Sequence, residues 1–130
     1  MSMWRIFRRD DRRPDELGQA VGGLVQLQLA LCSKQPRPSP ASVGYVFGMF
    51  DCAAQIADID LNTPRCQQAL KLTMAMVFPN QAHECVRIIG EHQLSPEFNS
   101  AATTGGNDYN GWVRSQGKAR PTSFWRVLDE

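Results

Sequence analysis

Leu17, Val21, Leu24, Leu27 and Leu31 recur at intervals of three or four residues, the repeat of a single helix face. They predict a first helix over 15–32. A strand competes for its second half, because Val25, Leu27, Leu29 and Leu31 alternate with Gln26, Gln28 and Ala30. Gly22 and Gly23 also weaken a helix by roughly 1 kcal/mol each. Length decides for the helix: the pattern outruns an ordinary strand, and no other segment offers itself as a pairing partner.

The second pattern has a sharper start. Ser39 can cap a helix, and Pro40 suits its first position. From 43 to 59 the residues are apolar on nearly every side. The exceptions, Gly44, Gly48, Asp51, Gln55 and Asp58, fall on one line at steps of four, three, four and three. A helix apolar all round except for one stripe is the central helix of a bundle. Its two glycines let a neighbouring backbone approach at one end, while the carboxylates and amide lie toward the other.

Two more starts repeat the cap-then-proline signal: Thr63 with Pro64, and Ser95 with Pro96. In the third helix Cys66, Ala69, Leu70, Met74 and Val77 form the buried face, and Arg65, Gln67, Gln68 and Lys71 face water. Pro79 ends it. Asn80 is expected to cap a fourth helix with Ala82, Cys85, Val86 and Ile89 inward. The fifth carries Phe98, Ala101 and Ala102, and the run Thr104, Gly105, Gly106, Asn107 should break it. A short sixth helix follows, with Tyr109, Trp112 and Val113 on one face and Gly117 as its stop. The tail 122–128 reads as a last helical turn or an extended arm anchored by Phe124, Trp125 and Leu128. The pattern predicts an all-α, single-domain bundle of five to six helices around the helix 43–59. The domain spans 15–130, preceded by a basic arm at 1–14.

A chain of 130 residues with 42% hydrophobic content can bury a core without metals or disulfides. The net charge of +1 gives no global field for nucleic acid, and no nucleic-acid partner is expected. The charge is uneven, however: five of the 14 cationic residues, Arg5, Arg8, Arg9, Arg12 and Arg13, lie in the first 13 positions. Mixed with Trp4, Ile6 and Phe7, they suit an arm docked on its own domain or on a dimer partner. Contact with an anionic membrane surface is the weaker use. No apolar run is long enough to cross a membrane, and no leader pattern follows the basic start, so the cytoplasm is the expected location. Cys32, Cys52, Cys66 and Cys85 are widely spaced and read as small core hydrophobes in a reducing compartment, with a two-disulfide arrangement as the rival.

Candidate chemistry is sparse. Asp51, Gln55 and Asp58, with Asp60 just beyond, form the candidate polar site, since carboxylates a turn or two apart can share a proton or a divalent cation. Such bundles normally supply Glu and a Glu-x-x-His pair, which this chain lacks. The cluster His83, Glu84, Cys85, Glu91, His92 holds zinc-ligand types, but His83 points away from Cys85 around a helix, so surface residues are expected. The loop 103–108 lacks the Lys-Ser/Thr ending of a phosphate loop. No catalytic residue, cofactor or metal is therefore predicted. Trp, Tyr and Arg dominate binding hot spots. The candidate partner surface accordingly comprises Trp4, Phe7, Arg8 and Arg9 at one end of the chain and Trp112, Arg114, Trp125 and Arg126 at the other.

The string Gly44, Tyr45, Val46, Phe47, Gly48 resembles the Gly-Tyr-x-x-Gly helix of small helical immunity proteins that neutralise bacterial toxins. That resemblance implies a toxin partner. The leading expectation is a non-catalytic protein–protein interaction module that self-associates as a homodimer. A small-molecule or metal-binding protein, with its site around Asp51, is the alternative.

Overall fold

In a computed structural model describing residues 13–30 and 36–128, the chain is all-α. Six helices follow in order: α1 (Arg13–Ala30), α2 (Pro40–Ile56), α3 (Pro64–Val77), α4 (Ala82–His92), α5 (Pro96–Arg114) and the short α6 (Phe124–Leu128). Positions 1–12, which carry Trp4, Phe7, Arg8 and Arg9, lie outside the described residues, as does Cys32.

The three cap-and-proline starts form as predicted. Ser39 accepts from the Ser42 backbone N–H at 3.0 Å, and the Ser42 hydroxyl accepts in return from the Ser39 N–H. The Thr63 hydroxyl accepts from Cys66 N at 3.2 Å, and the Ser95 hydroxyl from Phe98 N at 3.1 Å. Each satisfies a backbone donor that a helix start leaves orphaned, worth about 1 kcal/mol. Asn80 does not act as a cap. It takes a left-handed turn conformation (φ 66°) after Pro79, and Gln81 occupies the cap position without a side-chain bond.

In α1 the helix prevails over the strand. Leu17, Val21, Val25 and Gln28 are buried at helical spacing, whereas Leu27, expected on the inward helix face as well as in the strand alternation, is 45% exposed, because the buried face runs through Val25 and Gln28 instead. Burial against α3 fixes this outcome, since only one helix face can meet it. In α4 the inward residues are Cys85 and Ile88, and Val86 turns to solvent, one position off the expected face.

Helix α2 is central. Val43, Tyr45, Val46, Met49, Phe50 and Ala54 are all fully buried, and all five other helices rest on it. Full burial of one large apolar side chain contributes about 1.5–3 kcal/mol, so this helix carries much of the core. It ends at Ile56, short of the expected 59. Asp58 adopts the left-handed conformation (φ 56°). The Asp58 N–H donates to the Gln55 carbonyl at 3.2 Å and the Ile59 N–H to the Ala54 carbonyl at 2.8 Å. These two bonds make a Schellman stop, with Asp in the place usually taken by glycine.

The largest departure lies in α5. The run 104–107 does not break the helix, and 96–114 is continuous. The reason is a backbone-to-backbone seam with α2. A Cβ on Gly48 would lie 1.9 Å from the Ala102 carbonyl oxygen, and one on Gly105 would lie 2.1 Å from the Tyr45 oxygen. Gly44 faces the Phe98 carbonyl in the same way at 2.6 Å. Since 44 meets 98 and 48 meets 102, the two helices run parallel. The extra packing offsets the roughly 1 kcal/mol that each glycine costs a helix. Thr103 and Thr104 donate their hydroxyls to the carbonyls one turn back, at 3.0 and 3.2 Å, and so stay within the helix.

Helix α5 also closes with a Schellman stop. The Gln116 N–H reaches the Val113 carbonyl at 3.0 Å and the Gly117 N–H the Trp112 carbonyl at 2.8 Å. Gln116, one residue before the expected Gly117, holds the first left-handed position (φ 57°), and Gly117 follows at φ 87°. The tail then folds back, and α6 settles on α1 and α2.

Candidate functional site

The polar stripe of α2 does not converge. Asp51 is half-buried and accepts from the Gln55 side-chain amide at 3.1 Å on the surface. Asp58 is exposed beyond the helix end, in the left-handed turn. The glycine half of the stripe serves a different purpose, since α5 covers Gly44 and Gly48 completely. Among the described residues, no group of three or more His, Cys, Asp or Glu side chains gathers closely enough to hold a metal ion.

The cluster on α4 is a surface ion network. Arg87 bridges Glu84 one turn back and Glu91 one turn on, the latter at 2.5 Å. Arg87 holds the Glu84 carboxyl below its ordinary range. His92 stands 4.0 Å from Glu91, His83 is exposed, and Cys85 is buried on the opposite face. Burial pushes the Cys85 thiol up to about 12, and the thiols of Cys52 and Cys66 are raised for the same reason. All three are unpaired and hold their protons at neutral pH, which suits packing rather than nucleophilic attack.

Of the aromatic and cationic partner residues near the C-terminus, Trp112 is half-buried and packs on Tyr109 with ring centroids 5.8 Å apart. Arg114 and Arg126 are exposed, and Trp125 belongs to α6.

Two constellations were not anticipated from the pattern. The first is a polar hub where α1, α2, α5 and the start of α6 meet. Tyr45 donates its hydroxyl to Asp108 at 2.5 Å and accepts from the Gln28 amide at 3.1 Å. Asp108 also accepts from the Ser123 N–H at 3.2 Å, and Gln28 accepts from the Phe124 N–H at 2.8 Å. Burial, then the Asp108 bond, raises the Tyr45 pKa well above its usual value, against a smaller opposing effect from Gln28. The phenol therefore remains a donor throughout the physiological range. A polar residue on the inward stripe of α1, Gln28, was the signal in the sequence that could have revealed this hub.

The second constellation is a groove of about 830 Å³ between α1 and α3. Gly18 of α1 and Ala69 and Thr73 of α3 line it where the two helices meet closely: a Cβ on Gly18 would sit 2.7 Å from the Thr73 hydroxyl. Pro64, Leu72, Ala75 and Met76 supply apolar walls, and Leu72 is 53% exposed. At the rim Arg65 pairs with Asp15 at 3.2 Å. Thr73 spends its hydroxyl on the Ala69 carbonyl at 2.8 Å. Among the described residues, no buried side-chain nitrogen or oxygen lacks a hydrogen-bond partner. The groove thus offers apolar contact and shape, with no spare acid, base or nucleophile at its floor. Leu72 lies outside the inward face of α3, and a leucine out of phase with its own helix was the available clue. No helix among the described residues is long and apolar enough to cross a membrane. No protein-family model matches the chain, and neither a curated protein nor a solved structure matches it.

Proposed function

We propose that this chain is a non-catalytic protein–protein interaction module that receives a helix of a partner protein in the groove between α1 and α3. The observation that carries this reading is Leu72, 53% exposed on the α3 wall of the groove beside Ala75 and Met76. Gln68, Leu72, Ala75 and Met76 stand at helical spacing along that wall, the register in which a second amphipathic helix packs. The Asp15–Arg65 pair at the rim supplies polar contacts that set orientation more than affinity. The unpaired Cys52, Cys66 and Cys85 fit a reducing, cytoplasmic setting. A second copy of the chain is one candidate partner. Gly44 and Gly48 would not serve that purpose, because α5 already fills their face.

A photoreactive side chain at position 72 in the native cell tests this reading. It should form a protein adduct that the same group at exposed His83 does not form, and Leu72→Asp should abolish the association. No protein adduct at position 72, or one equally strong at 83, overturns it. The groove volume also falls in the range of small-molecule sites, which favours a bound metabolite as the second reading. Native mass spectrometry of the chain purified from its own cell would reveal that as a discrete added mass, removed by Leu72→Asp.

A further inference from the structure

The groove between α1 and α3 has a fixed relation to the chain's first residues. Asp15 pairs with Arg65, Gly18 faces Thr73 and Gly22 faces Met76, so the two helices run parallel and the groove begins where both begin. Helix α1 starts at Arg13, which is exposed, and Asp15, two residues on, already lines the groove. The chain preceding Arg13 therefore joins the fold at the groove's mouth. Residues 1–12 carry Trp4, Ile6 and Phe7, large apolar side chains of the kind the exposed Leu72 wall would take. The other segments outside the described residues do not compete: 31–35 follows the opposite end of α1, and 129–130 is Asp-Glu.

The tether is long enough. A chain spans at most about 3.3–3.6 Å per residue, which allows Phe7 about 20 Å from Arg13 and Trp4 about 30 Å. The α3 wall from Pro64 to Met76 is about 18 Å long at 1.5 Å per helical residue. A reversal at Asp10 and Asp11, residue types that favour turns, still leaves the aromatic side chains within reach of Leu72. Charge agrees as well: the first turn of α1 is acidic, with Asp15 and Glu16, and the segment brings Arg8, Arg9 and Arg12 to it.

We infer that residues 4–9 of the same chain occupy this groove, with Trp4 and Phe7 against Leu72 and Met76, so that a partner helix enters only by displacing them. A segment on a short tether meets its site at a millimolar effective concentration, which a separate partner must overcome by affinity. The displacement rests on the groove's role as a partner-docking surface; the docking of residues 4–9 does not.

A photoreactive side chain at position 72 of the purified full chain tests the docking. It should form an adduct within one chain, mapped to residues 4–9 by peptide mass spectrometry and unchanged in yield on dilution. The same group at exposed His83 should not form it. Trp4→Ser combined with Phe7→Ser removes both aromatic anchors and should abolish the adduct, while circular dichroism confirms that the helices persist. In the native cell that double variant should raise the partner adduct at position 72 several-fold. An adduct joining two chains, no adduct with residues 4–9, an equal one from position 83, or one that survives the double variant overturns the docking. An unchanged partner adduct in the double variant overturns the displacement. Capture of residues 4–9 without any partner leaves the docking standing and sinks the partner reading; capture of a partner without residues 4–9 does the opposite.

Discussion

The Tyr45 hydroxyl donates to the Asp108 carboxylate across 2.5 Å and so ties α2 to α5 between residues 63 positions apart. The same oxygen accepts from Gln28 of α1, so one phenol joins three helices. Tyr45→Phe keeps the ring and its contact with Phe124 but removes both bonds. It strands a buried amide donor and a carboxylate acceptor, at a cost of about 1–3 kcal/mol. Urea denaturation of the two proteins measures the difference. A variant within about 0.5 kcal/mol of the parent would show that the hub contributes nothing net.

The glycines divide into two groups with opposite expected outcomes. Gly48→Ala and Gly105→Ala place a methyl about 2 Å from a backbone oxygen of the facing helix and must force α2 and α5 apart. Each should destabilise by about 3 kcal/mol or more, at the upper end of over-packing penalties. Gly23→Ala and Gly90→Ala meet nothing within 4 Å and lie within helices, so each should stabilise by about 0.5–1 kcal/mol. Thermal unfolding of the four single variants checks both signs.

Two Schellman stops are built with the wrong residue. Asp58 and Gln116 hold left-handed positions at φ 56° and 57°, where a side chain crowds its own carbonyl. Asp58→Gly and Gln116→Gly should each stabilise by about 0.5–1 kcal/mol and raise the melting temperature by a few degrees. A fall in melting temperature for both would mean that the side chains contribute contacts outweighing the strain.

The alkaline side of the stability curve should be steep. Burial pushes the Cys85 thiol up to about 12 from an unfolded value near 9, and raises the Tyr45 phenol likewise. The folded state therefore keeps protons that the unfolded chain releases. Stability from these groups is complete below about pH 9 and is lost as pH rises from there through the folded value for Cys85. Urea midpoints measured across that window give the slope. Cys85→Ala lowers overall stability by leaving a cavity, but it should flatten the slope, and an unchanged slope would remove Cys85 from the account.

Much of the fold was legible because three helix starts carry both a capping hydroxyl and a proline, signals that act locally whatever the tertiary contacts. The central position of α2 was legible from its all-round apolar character. The continuity of α5 was not. Gly105 and Gly106 read as a break because, taken alone, they do destabilise a helix. Only the facing carbonyls of α2, some 60 residues away in sequence, make the absence of a side chain an advantage. The same limit applied to the sites. Asp51 and Gln55 stood out by composition yet pair with each other on the surface, while Asp108 was hidden inside what read as a turn. The groove depends on how α1 lies against α3, and no periodicity within either helix encodes that relation.

The α2/α5 seam has a consequence for kinship. Its positions admit no side chain whatever the rest of the bundle does, while Gly23, Gly90 and Gly111 face open space and are free to drift. A distant cousin of this chain should therefore keep glycine at the equivalents of 44, 48 and 105 long after its surface, its groove and even its tail have changed beyond recognition.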